Sequence, residues 1–158
     1  MCKKYRIGID AGGTKVAYGL FDADGQLLDR MQHPSDINAD GPAFSDRMIE
    51  TIREIEKKHN LKNEDLQGIG ICMPSYILFD TGYVYLTSAL TNIRDFPMKE
   101  YLQERLPGVK IVLDNDSNAA ALAEYRKGAG RGSRHMIYMA TSTGIGSGII
   151  IDGKLFRG

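Results

Sequence analysis

Apolar and polar positions alternate with a two-residue period through residues 16–21, which puts Val16, Tyr18 and Leu20 on one face of a strand. An apolar run at 5–10 ends in Asp10, ahead of the glycine turn Ala11-Gly12-Gly13-Thr14-Lys15. The turn signal Asp22-Ala23-Asp24-Gly25 introduces a third strand over residues 26–33. The pattern therefore predicts two consecutive hairpins, an antiparallel three-strand meander. The period then changes. Phe44, Met48, Ile52 and Ile55 recur at helical spacing with charges on the other side, and Pro42 suits a first-turn position, so a helix is predicted over 42–59. Residues 67–73 predict a buried strand that Pro74-Ser75 ends, and residues 76–86 a small β-excursion around Asp80-Thr81-Gly82.

A second helix is predicted from Pro97, with Met98, Tyr101, Leu102 and Leu106 inward and Pro107-Gly108 as its stop. Residues 109–113 predict a strand ending at Asp114. Ser117 to Arg126 reads as a helix rich in small residues (Ala119, Ala120, Ala121, Ala123), able to bring its backbone close to a neighbour. After a glycine loop at 128–132, residues 136–140 and 145–151 predict two strands joined by Thr141-Ser142-Thr143-Gly144. Asp152-Gly153 then turns the chain into the start of another strand. A sheet ending there carries an unsupported edge, and the expectation is a chain cut from a longer protein.

Composition narrows the classes. The 158 residues suffice for one domain, or one domain and part of a second. Apolar residues make up 42% and charged residues 25%, the balance of a globular protein. Lys+Arg and Asp+Glu number 20 each, without the basic excess of a general nucleic-acid binder. The absence of Trp excludes a tryptophan-stacking sugar platform. Cys2 and Cys72 form no disulfide framework, no stretch approaches the ~20 apolar residues of a membrane span, and the start has no signal-peptide core. The expectation is a cytoplasmic protein with neither membrane nor nucleic-acid partners.

Three segments carry candidate chemistry. Gly8 to Gly13 has the spacing of a P-loop, but Thr14-Lys15 follows and a strand pattern, not a helix, comes next. The segment is then either an ordinary tight turn with a solvated Asp, or a hairpin whose glycines let backbone N–H groups approach a phosphate while Asp10 holds Mg²⁺. Thr141 to Gly148 again joins strand to strand around glycines and hydroxyls, and two such hairpins could clamp one polyphosphate; a glycine bulge is the simpler alternative. In Asp114-Asn115-Asp116-Ser117-Asn118, one residue is expected to cap the following helix. Asn115 could bond substrate hydroxyls, and Asp116, near the positive end of a helix, suits a base that accepts a hydroxyl proton.

Together these segments resemble the ROK family, which contains sugar kinases, related repressors and unassigned members. Asp10-Ala-Gly-Gly-Thr-Lys15, the run from Asp114 to Glu124, Gly128-Ala-Gly-Arg-Gly132 and Thr143-Gly-Ile-Gly-Ser-Gly148 occur in that family's order and approximate spacing. The resemblance implies an α/β, actin-like (ribonuclease H-like) ATPase fold in two lobes. Residues 1–116 would form the sugar- and phosphate-binding lobe and residues 117–158 the start of the nucleotide-side lobe. It implies that Asp10, Gly12, Gly13, Thr14 and Lys15 face the phosphates of ATP and Mg²⁺. Thr143, Gly144 and Gly146 would form the second phosphate loop, with Asp116 the catalytic base and Asn115 a sugar contact.

Two positions depart from the family pattern. Pro74-Ser75 stands where Pro-Gly is usual, which places Ser75 near the sugar. Ser88-Ala89-Leu90 stands where a Pro-Asn pair is common; either the substrate is unusual or Asn92 serves instead, so glucose is not the default. The family's second sugar motif, its zinc motif and the half through which members often form homodimers lie beyond Gly158. The fragment alone is accordingly expected to have little activity. The alternatives are a sugar-sensing ROK-type transcriptional regulator, for which no helix-turn-helix precedes residue 7, and a non-catalytic sugar-binding domain.

Overall fold

The computed structural model describes residues 4–141 and 144–157. The chain separates into two compact units, one ending at Asp114 and one beginning at Asn115. Among the described residues no helix is long and apolar enough to cross a membrane.

The first unit is built on β1 (Tyr5–Ala11), β2 (Lys15–Phe21), β3 (Leu27–Pro34), α1 (Gly41–Lys58), β4 (Leu66–Met73), β5 (Ser75–Leu78), β6 (Tyr83–Thr87), β7 (Arg94–Phe96), α2 (Met98–Arg105) and β8 (Ile111–Asn115), whose last residue opens the second unit. The main sheet has the order β3-β2-β1-β4-β8. Its first three strands are the antiparallel meander that the alternation predicts, and β4 then lies parallel to β1. A parallel neighbour needs a crossover, which α1 supplies. Asp40 caps α1 by accepting from the Ala43 N–H at 2.9 Å, with Pro42 in the first turn. Phe44, Met48, Ile52 and Ile55 are buried against Ile7, Leu20, Ile69 and Ile71 of the sheet. The period-2 face of β2 (Val16, Tyr18, Leu20) joins the same core. Burial also pushes the Tyr18 hydroxyl up to about 12.

Two readings of the sequence need refinement. Pro74 interrupts the strand for one residue only: β5 starts at Ser75 and pairs with β6 in a separate three-stranded sheet, β5-β6-β7. β7 carries no sequence signal, being three residues long with Asp95 in the left-handed region at φ 48°; its existence rests on tertiary pairing of Val84 with Phe96 and Leu86 with Arg94. Tyr101 is half-buried rather than fully inward. Its hydroxyl donates to Asp46 of α1 at 2.9 Å while Arg105 lies over its ring at 3.5 Å.

The second unit holds α3 (Asp116–Lys127), β9 (Met136–Thr141), β10 (Ile145–Ile151) and β11 (Lys154–Phe156). The three strands form an antiparallel sheet with β10 in the centre. α3 ends where the Gly128 and Gly130 N–H groups both donate to the Glu124 carbonyl at 3.0 Å and Ala129 N–H donates to the Glu124 carboxylate at 3.0 Å.

The C-terminal end of α1 is fastened to β3 through charge. Lys58 reaches the Asp29 carboxylate at 2.8 Å and His59 at 2.7 Å, and these two partners, Lys58 first, hold the Asp29 carboxyl down to about 2. A carboxyl depressed in the fold contributes stability above its ordinary value near 3.8 and loses it as pH falls toward 2. Asp29→Asn is expected to cost roughly 0.2–1 kcal/mol at pH 7, the range for exposed ion pairs, with the difference from the parent shrinking as pH falls from about 5 through about 2. Urea denaturation across that range checks it; a difference undiminished at pH 2 contradicts it.

Candidate active site

In the first unit, Asp10 stands at the end of β1, opposite Ala17 on β2 and Cys72 on β4. Its carboxylate is exposed, and Oδ1 accepts a long contact of 3.8 Å from the Cys72 thiol. The turn that follows is closed by Gly12 N–H donating to the Lys15 carbonyl at 3.0 Å. It is held from outside by Ser35, whose hydroxyl donates to the Gly12 carbonyl at 2.5 Å and whose N–H donates to the Thr14 carbonyl at 3.0 Å. Thr14 and Lys15 are exposed.

The turn is also packed against the 88–90 loop. A Cβ at Gly13 would lie 2.7 Å from the Cβ of Ala89, closer than real side chains approach. Ser88 closes that loop by donating its N–H to the Pro74 carbonyl at 2.9 Å. Glycine at position 13 is thus required by packing whether or not a phosphate comes near.

The sugar candidates of this unit are placed as follows. Ser75 is nearly buried and donates its hydroxyl to the Met73 carbonyl at 3.0 Å. Leu90 is fully buried in the core, with its N–H donating to the Thr87 hydroxyl at 3.1 Å. Asn92 is exposed, and its amide nitrogen donates to the Asn38 carbonyl at 2.8 Å, bridging to the segment ahead of α1.

In the second unit, the polar run at 114–118 resolves into a cap and a first turn. Asn115 is the cap residue: its side-chain oxygen accepts from the Ser117 N–H at 2.9 Å and from the Asn118 N–H at 3.4 Å. Asp116 is the first residue of α3 and half-buried, with Oδ1 accepting from the Ser117 N–H at 2.8 Å.

The second glycine hairpin meets this helix end. A Cβ at Gly146 would fall on the Ser117 side chain, and one at Gly148 would lie 2.6 Å from the Ser117 carbonyl oxygen. Bare backbone on β10 therefore lets the start of α3 lie directly on it, one residue from Asp116. Gly144 is exposed at the hairpin; Ser142 and Thr143 lie outside the described residues. The structure thus brings Gly146 next to Ser117, the residue after Asp116, in one unit, and Gly12–Gly13 next to Asp10, Ser35 and Ala89 in the other.

Ser35, Cys72 and Ala89 were not among the sequence candidates. Each touches the first turn through a partner many positions away, and only Ser35, in a Pro-Ser-Asp turn signal, had any local mark.

The ROK family model matches residues 6–158. The chain belongs to the ROK family. It is 33% identical over 162 aligned residues to a glucokinase of Halalkalibacterium halodurans, covering all of this chain and 47% of that protein. It is 33% identical to the xylose repressor of Bacillus spizizenii, covering 98% of this chain and 39% of the repressor. A ROK family glucokinase from Streptomyces griseus, solved in complex with glucose and AMPPNP, superposes with a TM-score of 0.81 at 34% identity, covering 98% of this chain and 46% of that one. This ROK chain spans about half the length of the curated relatives it matches. Its fold is the α/β actin-like ATPase fold of the ROK sugar kinases.

The Gly13–Ala89 contact makes a reciprocal test. Gly13→Ala is expected to destabilise the first unit by about 1–3 kcal/mol, the cost of overpacking, and Ala89→Gly in the same chain to recover most of it. Chemical denaturation of the parent, both single variants and the double checks this; strictly additive losses contradict the contact.

Proposed function

We propose that the protein to which this chain belongs is an ATP-dependent sugar kinase. The observation that carries the reading is Asp116, an acceptor at the head of α3, set beside the glycine-bared strand β10 within a ROK chain. The glucokinase relatives and the AMPPNP complex of the Streptomyces griseus glucokinase support ATP and a sugar as the two substrates.

In this reading the sugar hydroxyl oxygen attacks the γ-phosphorus of ATP in line. Asp116 accepts the hydroxyl proton, the new O–P bond forms as the bond from the γ-phosphorus to the β–γ bridging oxygen breaks, and ADP leaves with that oxygen. Asn115 contacts the sugar beside it. The backbone of Gly12, Gly13 and Thr14, with Lys15 alongside, is assigned to the phosphates, as are Thr143, Gly144 and Gly146. Asp10, a single exposed carboxylate at a strand end, fits Mg²⁺, which binds through one or two carboxylates and keeps several waters. Mg²⁺ held there would neutralise charge on the phosphates. In this reading Ser75 and Asn92 also contact the sugar, Asn92 serving instead of Leu90, which is buried in the core.

The finer assignments belong to the same proposal. Residues up to 116 serve the sugar and phosphates and those from 117 begin the nucleotide side. A homodimer and a structural zinc are assigned to polypeptide outside residues 1–158. The cytoplasm supplies ATP and keeps Cys72 reduced, and no nucleic-acid partner is assigned. The xylose repressor relative supports a second reading, a sugar-sensing regulator on the same fold. The retained Asp116 favours the kinase.

Asp116→Asn in the full-length protein keeps the shape of the side chain and removes the base. Sugar-dependent ADP release is expected to fall by ~10²–10⁴-fold with nucleotide binding retained. A variant keeping more than about a tenth of the parent rate contradicts the assignment. Sugar binding without any phosphorylation by the parent protein favours the regulator.

A further inference from the structure

The Gly12–Thr14 turn is held through Ser35, and Ser35 lies just past the end of β3, an edge strand of the main sheet. Pro34, opposite Lys15 in the register, has no N–H to give to the β2–β3 ladder. Beside this strand end lies an open cavity of about 410 Å³, lined by His33 and Pro34 together with Phe44 and Arg47 of α1. Packing is therefore incomplete where β3 meets the turn, and hydrogen bonds take its place. His33 Nδ1 lies 2.9 Å from the Pro34 carbonyl oxygen, which can only accept, so Nδ1 carries the ring proton. Nε2 is then an acceptor, and the Tyr18 hydroxyl donates to it at 3.0 Å. Tyr18 is buried in the core, and its hydroxyl, pushed up to about 12, keeps its proton at neutral pH.

The Pro34 carbonyl and the Ser35 N–H belong to one planar peptide unit. Its oxygen is tied to the core through His33 and Tyr18. Its N–H donates to the Thr14 carbonyl at 3.0 Å. A rigid plate held at both ends cannot rotate, and the Ser35 hydroxyl is thereby set against the Gly12 carbonyl. We propose that His33 is a positioning residue for this turn, fixing the Pro34–Ser35 peptide and through it the Gly12–Thr14 backbone. The inference rests on the assignment of this turn to the phosphates of ATP. His33 and Tyr18 act through Ser35, so their loss weakens the hold on the phosphates in the bound state and the transition state alike. Such a loss raises KM for ATP and leaves kcat in place.

The test uses the full-length protein. Tyr18→Phe keeps the buried ring and removes only the hydroxyl, and His33→Ala removes the tie itself. In both, KM for ATP is expected to rise by roughly 3- to 10-fold, the worth of one hydrogen bond. kcat, the KM for the sugar and the far-ultraviolet circular dichroism are expected to stay at the parent values. The double variant is expected to be no worse than His33→Ala, because both changes cut the same tie. Hydrogen exchange supplies a readout that needs no turnover: the amides of Gly12, Gly13 and Thr14 are expected to exchange several-fold faster in each variant. An unchanged KM for ATP, a fall in kcat alone, or turn amides that exchange at the parent rate overturns the proposal. If the parent binds no ATP, the kinase reading fails by itself and the exchange rates alone decide whether His33 holds the turn.

Discussion

Two backbones can touch only where side chains are missing, and the candidate site depends on that constraint. Gly146 and Gly148 leave β10 bare where the first turn of α3 rests on it, with Ser117 meeting Gly146 and the small Ala121 meeting Gly148. A Cβ at either glycine would lift the helix, and Asp116 with it. The Asn115 cap fixes the same end from the other direction by occupying the first free N–H groups of the helix. The acceptor carboxylate is therefore placed by backbone geometry rather than by a chain of side-chain contacts.

The first glycine turn follows the same logic with different parts. Ser35 clamps it through two backbone carbonyls and Ala89 fills the space beside Gly13. A turn held this way keeps its N–H groups in a fixed arrangement without a ligand, which is the preorganisation that phosphate recognition by backbone amides requires. The packing reading and the functional reading of these glycines are compatible, because close packing is what fixes the loop.

The elements with strong periodicity were legible in the sequence. β2 was marked by Val16, Tyr18 and Leu20, and α1 by Phe44, Met48, Ile52 and Ile55, because local period and burial coincide there. β7 was not legible, because Arg94-Asp95-Phe96 becomes a strand only through its pairing with β6. The site was legible as a set of chemically apt residues but not as an arrangement. The polar run at 114–118 announced a cap without saying which residue, and only the fold assigns it to Asn115. Leu90 read as an altered sugar contact, yet it is a core residue pinned by Thr87, which local sequence had no means of showing. The roles of Ser35 and Ala89 depend on partners tens of residues away.

The central claim is that the Asp116 carboxylate faces the phosphoacceptor. It is tested most directly by a structure of the full-length protein with a sugar and a non-hydrolysable ATP analogue bound. The account predicts a sugar hydroxyl about 2.6–3.2 Å from an Asp116 oxygen, with both glycine turns against the phosphates. A sugar bound with its hydroxyls away from Asp116, or phosphates held without either turn, would contradict it.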